Sequence, residues 1–223
     1  MIIKALIPVR SGSIRVKNKN IKPFIGTSLL ELKIKQMLRI QRINEVIVNS
    51  NCDEMLSIAE SLGATPVKRD EYYASNTVSM NEVYENMAQN CFSDVIVFAD
   101  ATNPLIKDST ICEALDMFLN KDPDLDSLTT VSEVKQFLWQ NKKPLNYDIN
   151  NKPRSQDLPD IFALNHAISI LGRDLMIKKR DIVGFNPYLF KIDSMEGLDI
   201  DTEIDFEIAE FLYKKYRQKG DQI

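Results

Sequence analysis

The sequence is short of the groups that bind metals, form cross-links or carry a chain into a membrane. It has one histidine, His166, and three cysteines, Cys52, Cys91 and Cys112, which lie far apart, are odd in number and form no CxxC pair. That pattern gives no indication of a zinc site or a disulfide framework and reads as reduced thiols. No stretch approaches the roughly 20 apolar residues of a membrane span, and the N-terminal MIIKALIPV runs into charge too soon for a secretory leader. The expected location is the cytoplasm, with no membrane partner. Two phosphate-binding signatures are missing as well, since neither GxxxxGK[ST] nor GxGxxG occurs. At a formal charge of -4, the chain lacks the spread of basic residues that a nucleic-acid surface needs, so no nucleic-acid partner is expected.

What is there is an ordinary globular composition, 44% apolar and 27% charged over 223 residues, enough for one full α/β domain with a small extension. A β-branched apolar run spans residues 2–9, and apolar residues at helical spacing fill residues 29–40 behind Ser28, a helix cap by type. Strand and helix patterns then alternate: strand 45–51, helix 53–62 closed by Gly63, strand 65–69, helix 80–90, strand 94–99, helix 109–119 and strand 127–131. Alternation of this kind predicts a mostly parallel, Rossmann-like sheet flanked by helices. Ligands of such sheets bind beyond the carboxyl ends of the strands. Residues 132–160, rich in Asn, Lys and Pro, break the pattern and read as an extension used for dimerisation or substrate contact. Order returns with IFALNHAISIL, and a helix from residue 202 to about 219, with acid in its first turn, ends the chain. With no internal repeat, one domain over residues 1–223 is expected.

The chemistry gathers where those strands end. Directly after the first strand, Arg10, Arg15, Lys17, Lys19 and Lys22 crowd one loop, with no acid before Glu31. Ser11, Gly12 and Ser13 expose backbone N–H groups suited to wrapping phosphate oxygens, and Arg10, Arg15 and Lys19 supply compensating charge. On charge alone a solvated basic loop is an equal reading. Asp100 follows a buried strand, so its carboxylate reaches the same side. Arg154 and Gln156 precede a proline-bounded turn and could hold a carboxylate substrate. Asp199 and Asp201, two apart on an extended segment, point to one face and make a workable Mg²⁺ site. Singly, each has a plain structural reading: a loop-capping Asp, a turn, and a helix N-cap cluster.

Together and in this order they resemble the acylneuraminate cytidylyltransferases, which make CMP-activated nonulosonic acids such as CMP-sialic acid. IPVRSGSIRVKNKNI resembles that family's IPARSGSKxxxxKNI; ADATNPLI stands where it has QPTSPLR; RSQDLP resembles RRQDLP, LNHAISI resembles ENGAIYI, and GLDIDTEIDF resembles GIDIDTxxDF. The resemblance covers nearly the whole chain. It implies a nucleotidyltransferase fold and a cytoplasmic, CTP-dependent enzyme that transfers CMP from CTP to a sugar acid and releases pyrophosphate, serving cell-surface polysaccharide synthesis. It also implies a homodimer and Mg²⁺, or Mn²⁺, as cofactor. Carried over by position, Arg10, Lys19, Asp199 and Asp201 are catalytic. The nucleotide falls to Arg10, Ser11, Gly12, Ser13, Arg15, Lys19 and Asn20, with Asn76 and Ser79 at the nucleoside. Arg154 and Gln156 face the acceptor acid, and Asp199 and Asp201 hold the metal.

Three departures bear on the acceptor. Asp100 replaces a Gln that the family sets near the acceptor sugar, yet DATNP also resembles the DAARP of methylerythritol phosphate cytidylyltransferases, where the Asp is a metal ligand. Asp100 is therefore assigned both to acceptor binding and to the metal. Leu164 and His166 replace the Glu and Gly of ENGA, and Ser169 replaces the Tyr of AIYI. His166 can be a general base, although a lone His at a strand edge is more often structural. Sialic, legionaminic, pseudaminic and eight-carbon acids are all candidate acceptors. The alternatives are a cytidylyltransferase for another acceptor such as a polyol phosphate, a metal-dependent glycosyltransferase, and a non-catalytic nucleotide-binding paralogue.

Overall fold

The alternating pattern is realised almost element for element in the computed structural model, which describes residues 1–217. Strand β1 (Ile3–Pro8) ends in the basic loop, which returns through the two-residue strands β2 (Pro23–Phe24) and β3 (Thr27–Ser28) into α1 (Leu29–Arg39). There follow β4 (Glu45–Ser50), α2 (Asp53–Ser61), β5 (Thr65–Lys68), α3 (Glu71–Ala74), α4 (Met80–Gln89), β6 (Val95–Ala99), α5 (Asp108–Leu119) and β7 (Ser127–Glu133). The extension carries a small hairpin, β8 (Trp139–Gln140) and β9 (Lys143–Pro144), and a 3₁₀ turn at Ser155–Asp157. The chain then runs through β10 (Phe162–Gly172), α6 (Arg173–Lys179) and β11 (Pro187–Lys191) into α7 (Glu203–Arg217). The anticipated end of that last helix, at residue 219, lies outside the described residues. The anticipated cap of α1 is present: the Ser28 hydroxyl accepts from the Glu31 amide at 3.2 Å and donates to the Glu31 carboxylate at 3.0 Å.

Seven strands form one sheet in the order β11-β7-β10-β6-β1-β4-β5. Four of its six pairings are parallel; β10 alone runs antiparallel, to β6 on one side and β7 on the other. The sheet is thus mostly parallel, as the pattern implied, with one reversed strand that the pattern did not reveal. Alternate residues of the central strands face opposite layers. Ala5, Ile7, Val46, Val48, Val95 and Val97 pack under α1, α2 and α5, while Leu6, Ile47, Ile96 and Phe98 pack under α4 and α6. Each large side chain buried this way contributes roughly 1.5–3 kcal/mol.

A third, smaller core decides the site. Val16 and Phe24 from the basic loop and its hairpin, Leu105 after β6, Ile200, and Phe206, Ala209 and Tyr213 of α7 are buried together. Phe24 meets Phe206 and Tyr213 edge-on, with centroids 5.4 and 5.5 Å apart. The loop after β1 and the segment carrying Asp199 and Asp201 are therefore anchored to one apolar cluster at the carboxyl end of the sheet.

Candidate functional site

At that end lies a cleft of about 750 Å³. Its lining unites the ends of β1 and β6, the basic loop, the turn before α4, the middle of β10 and the segment before α7. Among the residues singled out from sequence, Arg10, Gly12, Ser13, Arg15, Lys19, Asn20, Asn76, Asp100, Asp199 and Asp201 all line it.

The basic loop is held by its own hydrogen bonds. Ser11 is turned away from the cleft: its amide donates to Asn51 Oδ1 at 3.1 Å and its hydroxyl accepts from Asn51 Nδ2 at 2.9 Å, so it fastens the loop to the end of β4. Gly12 takes a left-handed backbone, φ +82°, which suits glycine, as the chain turns. Arg10 donates to the Ala74 carbonyl at 2.6 Å and to Asn76 Oδ1 at 2.9 Å, so loop and turn close one wall together. Arg15 pairs with Asp201 at 2.8 Å, and Lys19 Nζ lies 3.8 Å from the same carboxylate and donates to the Ile200 carbonyl. Lys22 leaves the cleft for Glu203 and the face of Phe206, and Lys17 is not part of the lining.

The opposite wall is positioned through Asn103, which is fully buried. Its amide donates to the Asn165 carbonyl of β10 at 3.0 Å and to the Leu198 carbonyl at 3.2 Å, and the Ile200 amide donates to the Thr102 carbonyl at 3.0 Å. Asp100, Asp199 and β10 are thereby fixed relative to one another. Gly197 makes the approach possible: a Cβ there would stand 2.5 Å from Ser132 Oγ and 2.7 Å from Asn165 Nδ2.

Charge in this wall is unbalanced. Burial, then the neighbouring Asp199, push the Asp100 carboxyl up to about 7, against the opposing pull of Lys33 and Lys19. Asp199 is raised too, chiefly by burial and also by Asp201, while a hydrogen bond from Thr102, Lys19 and His166 act the other way. Asp199 Oδ1 is buried without a hydrogen-bond partner. Two buried carboxyls held above their ordinary range, one raised by the other's charge and one with an orphaned oxygen, fit a divalent cation. Asp201, in contrast, already has Arg15 and Lys19. Among the described residues no three His, Cys, Asp or Glu side chains stand close enough to form a preassembled metal cluster, so Asp100, Asp199 and Asp201 share the cleft without forming one closed set.

Several expectations are not brought to the cleft. Ser79 is the cap of α4, accepting from the Glu82 amide at 3.3 Å and donating to its carboxylate at 2.8 Å. Arg154 is 75% exposed and pairs with Asp157 at 2.7 Å, and neither it nor Gln156 lines the cleft. Short-range pairing at the 3₁₀ turn satisfies Arg154 instead. Conversely, Arg69, Tyr73 and Tyr84 line the cleft without having been singled out. Arg69 is buried, donates to Asn49 Oδ1 at 2.6 Å and to the Asn49 carbonyl at 2.8 Å, and burial lowers it to about 10. Tyr84 stacks edge-on against Phe98 at 5.6 Å, and burial lifts its phenol to about 12. A lone Arg closing an edge strand was the available signal for the first; a Tyr at helical spacing gave none.

Comparison with known proteins places this cleft in context. The family model described as cytidylyltransferase matches residues 4–221. The chain is 30% identical over 222 residues to a pseudaminic acid cytidylyltransferase of Campylobacter jejuni, covering 94% of this chain and 95% of that one. It is 27% identical to the post-translational flagellin modification protein B of Campylobacter coli, over 96% and 95% of the two chains. Among solved structures, a CMP:2-keto-3-deoxy-manno-octonic acid synthetase complexed with CTP superposes with a TM-score of 0.73 at 14% identity, over 97% of this chain and 100% of that one, a likeness of fold.

Proposed function

The chain belongs to the cytidylyltransferase family, and on that premise we propose that it transfers CMP from CTP to a nonulosonic sugar acid and releases pyrophosphate. The observation that carries the reading is the convergence, in one cleft at the carboxyl end of the sheet, of Arg10, Arg15 and Lys19 with Asp100, Asp199 and Asp201. The acceptor's hydroxyl oxygen forms a bond to the α-phosphorus as the bond to the pyrophosphate oxygen breaks. Such a transfer asks a protein mainly for positioning and charge neutralisation. Gly12 and Ser13 turn backbone N–H groups toward the phosphates, Lys19 and Arg15 neutralise them, and Arg10, with Asn76, steadies the nucleoside side. Asp100 and Asp199 would hold Mg²⁺, with Asp201 joining as its cations turn to the phosphates. The metal would supply charge neutralisation at the departing pyrophosphate.

Asp100 and His166 face the acceptor. A second copy of the chain is the partner, docked through the extension, where Trp139, Leu145 and Ile149 are exposed. No described helix is long and apolar enough to cross a membrane, which is compatible with a cytoplasmic enzyme.

The test is pyrophosphate release from CTP and Mg²⁺ with pseudaminic, N,N'-diacetyllegionaminic or N-acetylneuraminic acid, with Asp201→Ala as control. Release with one acid, abolished in the control, is the expected result. Silence with all three, despite measurable CTP binding, overturns the acceptor class.

A further inference from the structure

Six non-glycine residues among those described have positive φ. Asn18 and Ile25 sit in turns of the basic loop and its hairpin, Asn141 and Lys142 form the turn between β8 and β9, and Arg180 caps α6. His166, φ +57°, is the one inside a strand of the main sheet. It sits where β10 slips register against β7, between Leu164 and Ser169. A left-handed residue at a strand bulge redirects its side chain, and such backbone persists only where surrounding structure imposes it.

Here it is imposed from both sides. Asn165 Oδ1 accepts from the Thr130 hydroxyl at 2.6 Å and from the Ala167 amide at 3.2 Å. The same hydroxyl accepts from the Ile168 amide at 3.0 Å, in place of a ladder partner. Asn103 then ties the Asn165 carbonyl to the segment that carries Asp199.

The imidazole so placed is half-buried in the cleft wall, near enough to Asp199 to act on its charge, and it makes no hydrogen bond to any described residue. No described group holds the ring, so it is open to a ligand in the cleft. The Arg and Lys side chains lining the cleft are engaged: Arg10 with Ala74 and Asn76, Arg15 and Lys19 with Asp201, and Arg69 with Asn49. On the wall of Asp100 and Asp199, an oxygen-rich acid therefore meets one uncommitted ring donor.

We infer that His166 is an acceptor-specificity residue, whose ring N–H binds an oxygen of the sugar acid and sets which acid is taken. The inference rests on the cytidylyltransfer reading, and the experiment separates the two. kcat and KM are measured by pyrophosphate release with pseudaminic, N,N'-diacetyllegionaminic and N-acetylneuraminic acids for the wild type, His166→Gly and His166→Asn, alongside thermal unfolding. In His166→Gly, which suits the backbone, the KM for the preferred acid rises about tenfold, preference among the acids narrows, and the KM for CTP stays within about twofold. Its Tm holds or rises. His166→Asn, which tolerates positive φ and can donate, recovers most of the acid KM. An unchanged acid KM in His166→Gly, or an equal rise for acid and CTP, overturns the inference. If the wild type releases no pyrophosphate with any acid, the proposed transfer to these acids falls. His166 is then judged by saturation-transfer NMR of the same acids: a signal lost in His166→Gly upholds its role, and equal or absent signals in both proteins refute it.

Discussion

Lys33, on α1, is 1% exposed and donates to Gln36 Oε1 at 2.8 Å and to the Asn103 carbonyl at 3.0 Å, while burial lowers its pKa to about 7. Between pH 7 and 10.5 the unfolded chain keeps a proton that the folded chain has released, so this group makes stability climb with pH across that window. Below pH 7 its desolvation penalty is present in full. The Tm of Lys33→Met minus that of the wild type should therefore fall between pH 7 and pH 10, as read by thermal unfolding at fixed ionic strength. A difference that stays constant with pH would show that the lysine is not titrating there. At Asp199 the change to test is Asp199→Asn, which keeps shape and removes charge. Pyrophosphate release should drop by about 10²–10³-fold, while metal-free CTP binding by calorimetry should hold or strengthen, because repulsion of the triphosphate is eased. Charged residues that interrupt apolar patterning were visible at this scale, which is why the basic loop, Asp100 and the Asp199 and Asp201 pair could be read from sequence. Asn103 and Arg69 could not, because their work is defined by carbonyls and side chains far away in the chain.

Among the elements, those with a clean period were legible: α1 behind its cap Ser28, α4, and the buried strands β4 and β6. Two were not. α6 is seven residues long, too short for a helical period to emerge, and β11 is a sheet-edge strand with only Phe190 buried. The direction of β10 is likewise absent from its apolar run, which reads the same whichever way the strand lies. The RSQDLP turn shows the opposite failure, since its motif is present yet Arg154 is spent on Asp157. The most exposed dependence between elements is at Gly197. In Gly197→Ala the methyl group must displace Ser132 or Asn165, loosening the brace between β10 and the Asp199 segment. A loss of about 1–3 kcal/mol is expected, or roughly 2–10 °C in Tm, with a fall in kcat larger than any change in the KM for CTP.

On the scale of the whole molecule, the extension presents Trp139, Leu145 and Ile149 to solvent, with Phe162 and Leu164 exposed at the start of β10. Apolar groups gathered on one projection favour association with a second copy. Sedimentation velocity should give a dimer for the wild type and a shift toward monomer for Trp139→Asp with Leu145→Asp, the sheet staying folded by circular dichroism. A monomeric wild type at micromolar concentration would remove the extension from any role in assembly.

The pairing of Arg15 and Lys19 with Asp201 also has a kinetic consequence. A triphosphate does not meet idle cations in this cleft; it takes them from a carboxylate, so its arrival is a partner exchange. Until the nucleotide has brought its divalent cation, an anionic second substrate meets Asp100 and Asp199 with only the partial compensation of Lys33 and Lys19 and is turned away. Turnover should then be compulsory-ordered, nucleotide first. An unreactive analogue of the acid should inhibit competitively against the acid and uncompetitively against CTP, whereas mixed inhibition against CTP would mean that either substrate can bind first.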